Sequence, residues 1–225
     1  MRTSVFCIVL VFAPPLAVMA ESGDAPPPVM RFVRSTYSFA RKVDRDLACH
    51  NVKDVTRELG LNRVSSQRVF SFPDHAGAPI SHALVALGVD GSVRLLDDLD
   101  SIRKVFDAVP NDLAPVDVAQ LLVDKTLLLS RFNVYRNDGY ALGINVIRKA
   151  ADIPGLSEQS LVALKGVIKP PKLVPDGLGY RFTAFSWEEA GGAVVRHVIL
   201  VQDNRVAEYQ VDVLATWVGT HGLLR

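Results

Sequence analysis

The sequence predicts an α+β fold: antiparallel sheets of about eight strands, built as β-meanders, with helices between the strand groups packing on one face. Three observations carry that prediction. Segments 180–187, 193–201 and 206–217 follow one another with strand composition, and the last alternates Tyr209, Val211, Val213, Ala215 and Trp217 against Glu208, Gln210 and Asp212. An earlier group, 67–72, 82–89 and 92–97, repeats the arrangement, with Asp90-Gly91 as a tight turn. Between the groups stand helix-opening signals, Pro115 and Ser157.

Residues 1–20 read as a secretory signal peptide. Arg2 gives a positive start, an apolar run follows, and Val18-Met19-Ala20 precedes a polar stretch. The run is too short for a transmembrane helix, and Pro14-Pro15 breaks it. Export to the periplasm or the extracellular space is the expectation. Cleavage after Ala20 also removes Arg2, so the 25 basic residues become 24 against 24 acidic ones. A neutral chain lacks the basic excess that nucleic acids and anionic membranes select. Cys49 is then the one remaining cysteine, which rules out an intramolecular disulfide and leaves stability to the core. Cys49 itself is expected to be buried and inert.

Residues 21–29, with Pro26-Pro27-Pro28, form a Pro-rich flexible lead-in, and residues 30–225 a single α+β domain. A division into two lobes, about 30–112 and 113–225, is the alternative. Asn51 is placed to cap a short helix over Val52, Val55 and Leu59 that Gly60 stops. Asp90-Gly91, taken as a two-residue loop, sets Gly88 opposite Val93. Asp98 or Asp100 caps a helix over Ile102, Val105 and Phe106. Pro115 opens one bearing Val118, Leu121, Leu122, Leu128 and Leu129. Strands at 131–135 and 140–147 flank the turn Asn137-Asp138-Gly139. Ser157 caps a helix through Leu161, Leu164 and Ile168, and residues 169–179 bridge irregularly to the last meander. There Asp203-Asn204 suits a type I′ turn. It pairs Gln202 with Arg205, and an unbroken ladder then sets Val198 opposite Tyr209 and His197 opposite Gln210.

That register puts His197 on the face of Glu208 and Asp212, the candidate acid–base set, since an imidazole beside a carboxylate can shuttle a proton. No nucleophile is placed near it, which makes a surface imidazole the plainer reading. Arg196 falls with Phe185 and Trp187, so Arg196 and Trp187 form the candidate partner-binding anchor. Asp97, Asp98 and Asp100 lack the spacing of a calcium loop and read as caps. His75, His82 and His221 have no zinc spacing, and neither a phosphate-cradling loop nor a nucleophile elbow occurs. No metal or cofactor is implied.

The function expected from these features is that of an exported, non-catalytic protein that binds another protein, inhibitor-like or accessory. A hydrolase using His197, Glu208 and Asp212 is the alternative, with an apolar-ligand carrier behind it.

Overall fold

In a computed structural model of the chain, the described residues are 25–36, 46, 48–74, 81–138, 144–188 and 192–219. The architecture is α+β, with two antiparallel sheets. In chain order the elements are α1 (Pro27–Thr36), β1 (Lys53–Asp54), β2 (Arg68–Asp74), β3 (Ser81–Leu87), β4 (Val93–Leu95), α2 (Leu99–Arg103) and α3 (Pro115–Asp138). There follow β5 (Ile144–Ile147), α4 (Glu158–Lys165), β6 (Lys172–Asp176), β7 (Gly179–Glu188), β8 (Ala193–Gln202) and β9 (Arg205–Ala215). The first sheet has the order β1-β2-β3-β4. In the second, β7 pairs along its whole length with β8. Its other side is shared by β6 at one end and β5 at the other. β9 completes this sheet beyond β8.

Helix α3 joins the two sheets. Ala119, Leu122 and Val123 pack on Phe182, Ala184, Ile199 and Val201 of the second sheet. Leu121 and Leu129, on the neighbouring stripe, meet Val69, Leu84 and Ala86 of the first. The remaining stripe stays wet, with Gln120 Nε2 donating to Asp124 Oδ1 at 2.8 Å. Each sheet has a helix on its far side too. Val29 and Val33 of α1 lie on Phe70, Phe72, Ala83 and Val85. Leu164 of α4, with Ile168, lies on Ile147, Phe185, Trp187 and Val194.

Several local signals act as read. Asp98 caps α2, accepting from Ser101 N–H at 2.6 Å, and Ser157 accepts from Ser160 N–H at 3.2 Å at the start of α4. Asp203 and Asn204 both take left-handed backbone, at φ 50° and 55°, as a type I′ turn requires. Others resolve differently. The helix begins at Pro27, inside the expected lead-in, because a proline suits the first turn. Residues 131–135 continue α3, since neither glycine nor proline interrupts the chain between Pro115 and Gly139. No helix spans Val52 to Leu59; β1 and a turn occupy that stretch, and the short 3₁₀ helix Leu61–Arg63 follows it. Residues 172–176 of the expected irregular bridge are strand β6. The Asp90-Gly91 turn is longer than two residues: Gly88 N–H donates to Ser92 C=O, so Leu87, not Gly88, lies opposite Val93. Cys49 is half-buried beside the α1 cluster. Residues 1–24 and 139–143, His75 and His221 lie outside the described residues. No helix among the described residues is long and apolar enough to cross a membrane.

Candidate functional site

The second sheet holds the predicted site residues, and a single extra residue decides how they meet. Gln202 pairs with Arg205 and Val201 with Val206, as the turn dictates; Leu200 then faces Glu208. Ala207 is a β-bulge, which shifts every later partner by one. Arg103 Nη2 donates to its carbonyl from α2. From the bulge onward Ile199 faces Tyr209, His197 faces Val211 and Arg196 faces Asp212. A second irregularity at Leu214 sets Val194 opposite Ala215.

His197 therefore does not share a face with Glu208 and Asp212. It points under α3, only 3% exposed. Ser186 Oγ lies 2.7 Å from its Nε2 and the Tyr209 hydroxyl 2.9 Å from its Nδ1. The two rings stack with centroids 6.0 Å apart. The Tyr209 hydroxyl also bonds the Ser130 side chain on α3, and Ser130 Oγ donates to the Thr126 carbonyl at 2.6 Å.

The direction of this chain is set by the His197 tautomer. With Nδ1 protonated, His197 donates to the Tyr209 oxygen and accepts from Ser186 Oγ–H at Nε2; with Nε2 protonated, both directions reverse. Burial makes both ring groups resist charge. It lowers the His197 pKa to about 4 and raises that of Tyr209 to about 12, so both are neutral at pH 7.

A serine hydrogen-bonded to one ring nitrogen of a histidine, with a third group on the other, is the wiring of an activated nucleophile. Here Ser186 is 1% exposed and His197 3%, so neither side chain opens to solvent. The effect of this wiring is to tie three strands to one helix through buried polar side chains. Sequence reading missed this set: the one-residue bulge that brings Tyr209 to the His197 face leaves no mark on the alternation, and no local pattern says that Ser130 of α3 lies over it.

Arg196 lies on the Phe185 and Trp187 face, as the alternation predicts, opposite Phe185. Its guanidinium is turned to solvent and its Nε and Nη2 donate to Asp212 Oδ2 at 3.0 and 2.8 Å. With Gln210 Nε2 donating to Oδ1 at 2.8 Å, these bonds from Arg196 and then Gln210 hold the Asp212 pKa below its ordinary value. Trp187 is 4% exposed and donates Nε1–H to the Val218 carbonyl at 2.9 Å. The anchor pair is thus split into a core indole and a surface ion pair. Among the described residues no three His, Cys, Asp or Glu side chains converge as metal ligands.

The same face of the sheet continues past α4. Lys172, Thr183, Val198 and Gln210 form one row across β6, β7, β8 and β9; Val174, Arg181, Leu200 and Glu208 form the next. Val174, Val198 and Leu200 are half-buried in the middle, with Lys172, Arg181, Glu208 and Gln210 exposed around them. The clusters that bury α4 stop short of these rows. Comparison with known proteins returns no matching family model, no matching curated protein and no matching solved structure.

Proposed function

We propose that the chain is an exported, non-catalytic protein that acts by binding another protein, with residues 1–20 as its signal peptide and the uncovered half of the second sheet's outer face as its contact surface. The supporting observation is that face: Val174, Val198 and Leu200 at the centre, charged and amide side chains around them, and all three outside the cluster that buries α4. Apolar middle and polar rim is the anatomy of a protein–protein contact. The chain's near-neutral balance favours a protein over a nucleic acid or an anionic lipid surface. The inward turn of His197, which leaves Glu208 and Asp212 without a base, weighs against the hydrolase alternative.

A photo-reactive amino acid placed at Leu200 in the native host tests the reading, with Val162 on α4, 76% exposed, as the control position. A discrete heavier adduct from position 200 and none from 162 is the expected result. Adducts from neither position, or the same adducts from both, sink it. Export is read separately: protein recovered outside the cytoplasm should begin at Glu21, and a chain that keeps Met1 and stays in the cytoplasm contradicts it.

A further inference from the structure

The outer edge of β9 carries an inference beyond partner binding and independent of it. Among the described residues no strand pairs with that side. A free edge presents backbone N–H and C=O groups to a strand of suitable sequence, and proteins usually blunt such edges. β9 is blunted at its ends, by the bulge at Ala207 that Arg103 holds and by the irregularity at Leu214. Between them, Glu208 to Val213 run regular and open. This window exposes Val211 by 50% and Val213 by 63%.

Chemistry within the window selects its occupant. Two antiparallel self-pairings about a two-fold axis keep five residues of each copy paired between the bulges. One centred on Gln210 sets Glu208 opposite the second copy's Asp212, and like charges directly opposite destabilise a ladder. One centred on Val211 sets Val211 against its own copy, Tyr209 against Val213 twice, and Gln210 against Asp212 twice. Those are aromatic–β-branched and amide–carboxylate pairs, both favourable across strands. The formal net charge of +1 opposes association of two copies very little.

We propose that two copies of this chain pair β9 to β9, antiparallel, about a two-fold axis through Val211, so that their five-stranded sheets become one continuous sheet. Isologous pairing of this kind closes on itself and stops at the dimer. It covers the exposed valines and removes the free edge. It also sets two copies of the uncovered outer face side by side, so a partner bound there would meet two sites.

Sedimentation of the purified protein reads the assembly, and a cysteine scan reads the register. The wild type should sediment as a dimer. Val211→Lys should shift it to monomer, because the new cations would face each other across the axis, while Leu178→Lys, at a position 92% exposed in the β6–β7 turn, should not. In a Cys49→Ser background, Val211→Cys should form a disulfide-linked dimer under mild oxidation, since residues directly opposite lie within bridging distance. Val213→Cys should not, being displaced along the strand from its own copy. A monomeric wild type, a dimer that survives Val211→Lys, or equal crosslinking from positions 211 and 213 overturns the proposal.

Discussion

His197 shows how much one side chain's surroundings decide. Its pKa falls from 6.5 to about 4 because the folded protein buries the ring. The unfolded chain binds a proton there below pH 6.5, and the folded chain does not until about pH 4. Folded stability from this group is thus complete above pH 6.5 and declines as pH falls from 6.5 to about 4, by on the order of 3 kcal/mol. Denaturant titrations across that range should show the decline in the wild type and a flatter profile in His197→Gln. Tyr209→Phe takes away the hydroxyl that bonds His197 Nδ1, and should cost about 1–3 kcal/mol in the same titration at pH 7. Thr126 offers the opposite case. Its Oγ1 is buried without a partner among the described residues, so Thr126→Val, nearly equal in shape, should raise stability by roughly 1 kcal/mol. None of these roles was legible in the sequence. A histidine between Arg196 and Val198 looks alike whether it faces water or a tyrosine, and residues about ten to seventy positions away settle which.

At the scale of elements, legibility follows how local the cause is. Asp98, Ser157, Pro115 and the Asp203-Asn204 turn act within three or four residues of themselves, and each was readable. The β9 bulge is not local. Alternation runs unbroken through Glu208, Tyr209 and Gln210, and only the pairing with β8 reveals that Ala207 stands outside the ladder. β6 escaped notice for a related reason. Pro175 lies within it, and proline argues against a strand unless the strand is at an edge; β6 pairs with β7 alone. Residues 131–135 carry β-favouring side chains that α3 overrides by extending a helix already anchored on both sheets. The anchor itself can be tested. Leu122 is fully buried against the second sheet, and Leu122→Ala should lower stability by about 2–5 kcal/mol in thermal or denaturant unfolding.

For the whole molecule, the α+β class and the two meanders were legible because turn residues and period-two runs are dense in this chain. How the meanders are joined was not, since no sequence pattern says that the two stripes of one helix serve different sheets. That sharing predicts cooperative unfolding. Both tryptophans, Trp187 and Trp217, lie in or beside the second sheet, so their fluorescence follows that half, while far-ultraviolet circular dichroism follows both. The two signals should trace one coincident transition, and a fluorescence change well separated from the dichroism change would show two independent lobes. The dependence has a direction in time as well. The strands of the first sheet are complete by Leu95, but Leu129, which helps to seal their inner face, is translated more than thirty residues later. While the nascent chain lengthens, Val69 and Leu84 therefore wait with part of their cover still inside the ribosome, a window in which a chaperone would find them.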